Sequence, residues 1–402
     1  MSNLTVNFCG IKCANPFLLA ASPVARTADM VMRAFEQGWG GAITKSLALS
    51  QNNDLHSVMP RFTRFSDGSM GNFDFRIDKT VEETVKDWSR IKKSFPDHFL
   101  AVSIKEGTDE TTWRTLTDYA ISTGADAIEL CLSCPDSATN DSSCVSIGQN
   151  PESTAIVIGW VKKVTDLPII VKLTPAINNI IPVAKAASRA GAVAVTSANT
   201  LKSIAGINPD TLVTDPEVGG RSNYVGLSGA ALKPLTMRII AEIAQSEMKN
   251  LQLSGAGGVQ TWKDAVDYIA LGAVTVQVAT EIMYRGYGII DELTDGLTTF
   301  MEKNDFNSIN DFLGLSLQHI TPTYQLDQNY RVVATYDEKN CVGCGRCFIS
   351  CRDGAYQAID FDSTERKPVF REQDCHGCGL CSLVCPVEGC IKMVTSASEF
   401  PK

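Results

Sequence analysis

From its N-terminus to about residue 300, the chain alternates short apolar, β-branched runs with longer amphipathic ones. The short runs have the length and composition of buried strands, and the longer runs repeat apolar residues with helical spacing. This alternation is typical of repeated βα units around a parallel sheet. We identify eight candidate strands, at residues 17–22, 41–46, 99–104, 127–134, 168–175, 192–199, 251–257 and 275–282.

Eight strands are enough to close a barrel, and several of the helical stretches between them begin with Asp, Thr or Pro and end on Gly, as helix caps require. The sequence therefore predicts an α/β fold, a (β/α)8 TIM barrel over residues 1–304, with a doubly wound open sheet as the alternative. Insertions at about 47–79 and 201–229 follow the second and sixth strands. In a barrel they would lie at the C-terminal face, as candidate loops that cover a substrate.

A cysteine-dense module follows the barrel. Residues 305–333 have the mixed polar character of a connecting segment, and residues 334–402 contain two copies of C-x2-C-x2-C-x3-C. This spacing is typical of a ferredoxin-like domain with two [4Fe-4S] clusters, in which the fourth cysteine of each copy ligates the other cluster. Structural zinc would need only two C-x2-C pairs per metal. The predicted ligands are Cys341, Cys344, Cys347 and Cys385 for one cluster, and Cys375, Cys378, Cys381 and Cys351 for the other.

The composition narrows the function. The net charge of -9, with acidic and basic residues interspersed, provides no basic stripe for nucleic acid. No run approaches the roughly 20 apolar residues of a membrane span, and the first residues do not resemble a signal peptide. We therefore expect a cytoplasmic protein that acts on a small-molecule substrate.

Two clusters relay single electrons, so two-electron chemistry on a substrate points to a flavin as well. Glycines in "SGAGG" (254–258) end the seventh strand and allow backbone N–H groups to approach a phosphate, although tight turns alone would also explain them. Lys45 and Lys172 end the second and fifth strands. An ammonium in a barrel mouth is costly unless it faces an anion, either a reduced flavin or a carboxylate such as Glu129.

Three further residues at strand ends carry polar or acid-base groups. Asn199 and Thr200 follow the sixth strand, where an amide and a hydroxyl would bind a substrate or simply form a turn. Cys134, in "ELCLSCPD" (129–136), ends the fourth strand as an acid catalyst or a packing residue. A thiol pKa of about 8.5 allows it to hold a proton at neutral pH and still release it.

These pieces, in this order, resemble the dihydroorotate and dihydropyrimidine dehydrogenase superfamily over nearly the whole chain. The matching segments include "FEQGWGGAITKS", "LSCP", "GQNPE", "KLTP", "LSGAALKP", "VQVATEIM", "CVGCGRC" and "VCPVEGCIKM". The resemblance implies FMN in the barrel mouth and Cys134 as the general acid that protonates one carbon of a C=C bond. It implies flavin contacts from Ala21, Ser22, Lys45 and Lys172, and phosphate contacts from Gly229, Gly257, Gly258, Ala279 and Thr280.

The chain departs from the family at the positions that contact the substrate. Cys131 stands where the dihydropyrimidine enzymes carry Asn, and alignment on Trp88 places Phe75 and Ile77 at their Asn-x-Glu. Asn199 and Thr200 match the family. Each buried substrate group left unpaired typically costs about 1 to 3 kcal/mol, so these replacements weaken the case for uracil.

The leading hypothesis is a flavin and iron-sulfur oxidoreductase acting on CH-CH groups, with a C=C bond conjugated to a carbonyl as its target and pyrimidines as the first guess. The alternatives are another cyclic amide or enone, a dihydroorotate dehydrogenase-like enzyme, and a non-catalytic electron-transfer subunit. No G-x-G-x-x-G follows an early strand. We therefore expect electrons from a partner subunit that carries FAD and NAD(P)H, or from ferredoxin, in a homo- or hetero-oligomer.

Overall fold

The computed structural model describes residues 3–49, 60–73, 77–133, 143–246, 248 and 250–396. It divides into two compact units, residues 1–319 and 320–402. The predicted residues Phe75 and Cys134 lie outside the described residues. Within the part of the chain that is described, no helix is long and apolar enough to cross a membrane.

The first unit is a closed barrel of eight parallel strands, which confirms the predicted (β/α)8 fold and excludes the open sheet. Each strand pairs with the strands before and after it in the chain, and the last pairs with the first. The strands consist almost entirely of buried residues, which explains their unbroken apolar runs. They are β1 (Phe17–Leu19), β2 (Gly41–Ile43), β3 (Phe99–Ile104), β4 (Ala127–Cys131), β5 (Ile169–Lys172), β6 (Ala194–Thr196), β7 (Gln252–Ala256) and β8 (Thr275–Val278).

Helices surround the barrel, and each buries one apolar face against it. In the helix Val81–Ser94, for example, Val81, Trp88 and Ile91 are buried, and a capping box between Thr80 and Glu83 satisfies the first N–H groups. The helices of this unit are α1 (Ala28–Glu36), α2 (Val81–Ser94), α3 (Glu110–Ser122), α4 (Ser143–Gln149), α5 (Pro151–Lys162), α6 (Ile181–Arg189), α7 (Lys233–Ala244), α8 (Trp262–Ala270), α9 (Thr280–Arg285) and α10 (Ile289–Lys303).

A β-hairpin formed by Val6–Phe8 and Ile11–Cys13 closes the N-terminal end of the barrel. Gln252, at the start of β7, bonds the hairpin backbone at Cys9 N (2.6 Å) and Asn7 O (3.0 Å). Burial raises the pKa of both the Cys9 and the Cys13 thiol to about 12. These two cysteines therefore stay protonated in the folded protein and serve as packing groups.

At the opposite end, the insertions after β2 and β6 together form a four-stranded antiparallel sheet. Its strands are Phe62–Arg64 and Met70–Asn72 from the first insertion, and Leu201–Ser203 and Val225–Ser228 from the second. Strand Val225–Ser228 pairs with Met70–Asn72, so the two insertions hold each other in place. We call this sheet the lid sheet.

The predicted connecting segment, 305–333, divides between the two units. Its first part continues the barrel unit, because Phe306 and Phe312 stack at 5.4 Å and pack against Phe300 of α10. Ile309 and Phe312 are almost fully buried. An aromatic cluster thus fixes a stretch whose polar residues had suggested a linker.

The second unit is built on two antiparallel strand pairs. Val332–Tyr336 pairs with Ile391–Thr395, and Ile359–Asp362 pairs with Lys367–Phe370. Helix α11 (Arg346–Gly354) begins inside the first cysteine motif and contains Cys347 and Cys351, and α12 (Leu380–Leu383) lies inside the second motif. Cys347, Cys351 and Cys381 belong to the core of this unit, so its packing centres on the cysteine motifs, as the predicted ferredoxin-like domain requires.

Candidate active site and cluster centres

Two adjoining cavities, of about 600 and 740 Å³, open at the C-terminal end of the barrel. Both are lined by Ala21, Ser22, Lys172, Asn199, Thr200, Ser228, Ala279 and Thr280. The smaller cavity, called here the glycine-side cavity, is also lined by Gly229, Gly257 and Gly258. The larger, called the lysine-side cavity, is also lined by Lys45, Lys105 and Cys131. Twelve of the fifteen site residues predicted in the barrel therefore line these two adjoining cavities.

The turn after β7 requires glycine at two successive positions. Gly257 and Gly258 have φ angles of 116° and 70°, a region that side chains disfavour. A Cβ atom at Gly258 would also lie 2.7 Å from Lys233 Cβ and 2.9 Å from Gly229 O. The turn consequently packs directly on the lid sheet connection at Gly229, which leaves its backbone at the cavity wall.

Polar side chains fix this turn from behind. Tyr268 donates a hydrogen bond to Gly257 O at 2.7 Å. The Asp264 carboxylate accepts from the backbone N–H groups of Gln260 and Thr261, at 2.9 and 2.7 Å, and Lys233 forms ion pairs with both Asp264 and Asp267. These contacts hold the turn in one conformation, as a phosphate-binding turn requires.

Lys172 lies at the end of β5 and is only 4% exposed, yet its ammonium makes no hydrogen bond or ion pair with any described residue. It does not pair with Glu129, the carboxylate considered as an alternative partner. Ser22 Oγ is likewise buried and without a partner among the described residues. Both side chains line both cavities. Because buried polar groups are normally satisfied, these two indicate a bound anion that also accepts hydrogen bonds, and an FMN fits this demand.

Lysines are concentrated on one side of the site. Lys45, at 5% exposure, and Lys105, at 7%, follow β2 and β3 and line the lysine-side cavity together with Lys172. Lys105 was not among the residues selected from the sequence. It directly follows β3 in "AVSIKE", so the rule that drew attention to Lys45 and Lys172, a lysine at a strand end, applies to it as well.

Cys131 and Asn199 are in contact at the same wall. Asn199 Nδ2 donates to Cys131 Sγ at 3.5 Å, and Asn199 Oδ1 accepts from Thr200 N at 2.9 Å. The amide is therefore held in one orientation by its neighbours. Cys131 is 3% exposed and borders the cavity, so its thiol forms part of the cavity wall.

Of the two residues expected from the first insertion, only Ile77 is among the described residues. Ile77 is 2% exposed and belongs to the apolar core, so the structure does not bring it to either cavity. Asn72 of the lid sheet lines the lysine-side cavity, and its Nδ2 donates to Gly226 O at 3.1 Å. The triplet Asn72-Phe73-Asp74 has the Asn-x-acid spacing of the family, three residues before the position chosen from Trp88. That spacing is the sequence signal for Asn72.

In the second unit, the eight motif cysteines surround two separate cavities. Cys341, Cys344, Cys347 and Cys385 line one of about 370 Å³, and Cys375, Cys378, Cys381 and Cys351 line the other, of about 340 Å³. Each cavity collects three cysteines from one motif and the fourth from the other, and the remaining wall is mainly apolar. Four thiols in such a pocket suit a [4Fe-4S] cluster. Cys390 is buried beside the first cavity, with Sγ directed at Asp337 O (3.6 Å).

The two motifs share a glycine pattern, "CxGCGxC", for a steric reason. Gly343 and Gly377 have φ angles of 64° and 71°. A Cβ atom at Gly343 would lie 2.4 Å from Arg366 O, and one at Gly377 would lie 2.4 Å from Val332 O. Only glycine allows the cysteine loop to turn this close to the neighbouring backbone.

A closed parallel barrel with a lysine- and glycine-lined mouth, joined in sequence to two four-cysteine cavities, defines a flavin and iron-sulfur oxidoreductase. The sequence profile described as "Dihydroorotate dehydrogenase" matches residues 3–301, and that described as "4Fe-4S dicluster domain" matches residues 334–393. The chain belongs to the dihydroorotate dehydrogenase family. It combines that family's FMN-type dehydrogenase domain with a 4Fe-4S domain and is homologous to dihydropyrimidine dehydrogenases.

Named relatives agree with this assignment. The chain is 37% identical over 397 residues to the NAD-dependent dihydropyrimidine dehydrogenase subunit PreA of Escherichia coli, with 97% of this chain and 95% of that protein covered. It is 32% identical to the catalytic subunit of dihydroorotate dehydrogenase B (NAD(+)) of Pyrococcus abyssi, covering 78% and 99%. A DHODH crystal structure from Eimeria tenella, with ferulenol, has a TM-score of 0.66 at 19% identity, covers 78% of this chain and 88% of that one, and supports the fold alone.

Proposed function

We propose that this chain interconverts a pyrimidine and its 5,6-dihydro form by adding or removing hydrogen across a C=C bond conjugated to a carbonyl. The observation that carries the proposal is Lys172, a buried ammonium without a partner among the described residues, in a cavity that also presents amides. Bound FMN would supply hydride transfer at N5. The name of the relative in Escherichia coli, a dihydropyrimidine dehydrogenase subunit, supports the pyrimidine as substrate.

Different residues of the barrel mouth would contact the two ends of a bound FMN. Gly229, Gly257, Gly258, Ala279 and Thr280 line the glycine-side cavity and would hold the phosphate end, where the turn after β7 is braced. Ala21, Ser22, Lys45 and Lys172 line the lysine-side cavity and would hold the ring and ribityl end. The two ammonium groups would stabilise negative charge on a reduced ring, because a preorganised cation in a dry site needs no reorganisation during reaction.

Substrate binding rests on amides and a hydroxyl. Asn72, Asn199 and Thr200 line the lysine-side cavity and offer donors and acceptors to the lactam edge of a pyrimidine ring. Asn72 compensates for part of the polarity that Cys131 removes. Cys134, outside the described residues, is the proposed proton donor to the ring carbon, as the family resemblance implies.

The eight motif cysteines would hold two [4Fe-4S] clusters, which would supply one-electron transfer to and from a flavin in the barrel mouth. Because the relative in Escherichia coli is named as an NAD-dependent enzyme's subunit, we infer a partner that carries FAD and NAD(P)H, with ferredoxin as the other donor. The assembly would be a homo- or hetero-oligomer. A cytoplasmic location suits cluster cysteines that must remain reduced.

Lys105 favours a second candidate substrate. A third buried lysine in the lysine-side cavity suits a ring that carries a carboxylate, as in a dihydroorotate dehydrogenase-like reaction. Because Cys131 offers a thiol and not an amide, the cavity also suits another cyclic amide or enone that has no lactam group for an asparagine to bind. The non-catalytic alternative receives less support, because the lysines, the glycine turn and the amides line one cavity.

An anaerobic reoxidation experiment tests the proposal. The flavin is photoreduced, and uracil, thymine, orotate and a cyclic enone are added separately while the flavin spectrum is followed. We expect uracil or thymine to reoxidise the flavin, and Cys134→Ala to slow this step by at least about 100-fold. Cys144→Ser, a cysteine without an assigned role, is the control. If no pyrimidine reoxidises the flavin, the proposed substrate class is wrong.

A further inference from the structure

A hydrogen-bonded network of buried polar side chains crosses the barrel interior beneath the cavities. Gln277 Nε2 donates to Thr196 Oγ1 (2.9 Å) and to Ser254 Oγ (3.0 Å). Thr196 Oγ1 in turn donates to Glu129 Oε2 at 3.0 Å. Glu129 and Thr196 are fully buried and Gln277 is 2% exposed, while Gln277 also lines the glycine-side cavity. This network therefore connects a buried carboxyl group to the wall of the glycine-side cavity.

Two acceptor atoms of this network, Glu129 Oε1 and Gln277 Oε1, have no hydrogen-bond partner among the described residues. Leaving a buried acceptor unpaired is unfavourable, and an apolar pair of the same shape would pack a barrel interior equally well. Stability alone therefore gives no reason for an acid at position 129. The position of Glu129 next to the pocket suggests that this acid has an electrostatic role.

The charges around the pocket support this. Lys45, Lys105 and Lys172 line the lysine-side cavity. Among the described residues, the fully or nearly fully buried acids are Glu129 and Glu281, and Glu281 lies 3.5 Å from Arg285. Glu129 has no cation at ion-pair distance in the described part of the chain. It stands two residues before Cys131 on β4, so it faces the barrel interior on the same side as the cavity wall.

We propose that Glu129 is a positioning residue that lowers the reduction potential of the bound flavin, acting through Thr196 and Gln277 and through its charge. This inference rests on the proposed function, because it requires FMN in the pocket. Oxidised flavin that takes up two electrons and one proton gains one negative charge, which the lysines favour and the Glu129 carboxylate opposes. The carboxylate thus keeps the flavin from trapping electrons that must also pass to and from the clusters.

Redox titration of the flavin-loaded protein against a reference dye tests this. Glu129→Gln keeps the shape and an acceptor for Thr196 but removes the charge. At the same solution potential we expect about tenfold more reduced flavin than in the wild type, a rise of about 30 mV for a two-electron couple. Thr196→Val interrupts the network but leaves the charge, and should shift the ratio less. An unchanged potential in Glu129→Gln with full flavin content would overturn the proposal.

A second variant covers the case in which Glu129→Gln loses its flavin. Gln277→Glu adds a carboxylate at the pocket wall and should lower the potential, opposite in sign to the first variant; a rise or no change there contradicts the proposal. Different results would overturn the proposed function and the proposed role of Glu129. Wild-type protein without flavin overturns the proposed function, whereas wild-type protein that binds flavin and reduces a pyrimidine, with potentials insensitive to both variants, overturns this inference alone.

Discussion

Among single residues, Lys172 is expected to lower the stability of the flavin-free protein and to be needed for activity. It is buried and has no partner among the described residues, so it costs folding free energy, and this cost is useful only if an anion binds there. We expect Lys172→Met to raise the melting temperature of the flavin-free protein and to lower kcat/KM by about 100-fold. Lys12→Met, at an exposed hairpin position, is the control and should change neither. A Lys172→Met protein that is less stable and fully active would contradict this role.

Asn72 tests the polar contacts to the substrate. Its amide borders the lysine-side cavity, so Asn72→Ala removes a contact worth about 1 to 3 kcal/mol when a buried substrate group is left unpaired. We expect KM for the pyrimidine to rise at least about fivefold, with a smaller change in kcat, in steady-state assays. Asn329→Ala, at an exposed site in the second unit, is the matched control. An unchanged KM would remove Asn72 from the substrate site.

Lys105 discriminates between the two candidate substrates by charge. Lys105→Met should weaken binding of orotate by about tenfold or more and leave uracil within about twofold, because only orotate carries a carboxylate for the ammonium to pair with. The perturbation of the flavin spectrum on titration with each ligand measures both affinities. Equal losses for orotate and uracil would show that Lys105 supports the pocket as a whole and does not select for charge.

The sequence predicts a residue's place in the cavity best where a strand sets its position. Lys45 and Lys172 lie at or near the ends of barrel strands, and strand ends meet at the barrel mouth. Asn72, which lines the lysine-side cavity, is not predicted from the sequence because it lies in an insertion, where a small change of alignment decides which residues are expected at the cavity. The core environment of Ile77 depends on how the insertion folds back, and local pattern does not encode that.

At the scale of elements, the glycine turn after β7 is the part least able to accept a side chain. Gly258→Ala would place a Cβ atom 2.7 Å from Lys233 Cβ at a positive φ. We expect a loss of about 1 to 3 kcal/mol in unfolding free energy and weaker FMN binding. Gly159→Ala, on α5 with open space around it, should instead stabilise by about 0.5 to 1 kcal/mol. Urea unfolding and flavin content measure both. Equal effects of the two substitutions would contradict a special role for the turn.

The elements also show what the hydrophobic pattern can and cannot predict. All eight barrel strands follow from apolar runs, because strands buried on both faces give a strong local signal. The lid sheet was not predicted. Its strands are three or four residues long and come from two insertions that are distant in sequence, so each strand is defined by its partner and not by its own composition.

At the scale of the whole molecule, the two cysteine motifs depend on each other. Cys385 lines the cavity of the first motif and Cys351 that of the second. We expect Cys385→Ser to impair the cluster held by Cys341, Cys344 and Cys347, and Cys351→Ser to impair the other, each leaving one cluster visible by electron paramagnetic resonance after reduction. Cys390→Ser is the control and should retain both signals. Loss of a cluster from the same motif as the substituted cysteine would contradict the exchange of ligands.

In the proposed reaction, electrons enter singly through two clusters and leave as a pair through a flavin onto a C=C bond. Anaerobic reductive titration tests it most directly. The wild-type protein should take up about four electrons per chain, two for FMN and one for each cluster, and an excess of pyrimidine should withdraw them in pairs as the dihydro product. Cys134→Ala should take up the same number and release them slowly. Uptake of about two electrons, or full uptake without any product, would contradict the account.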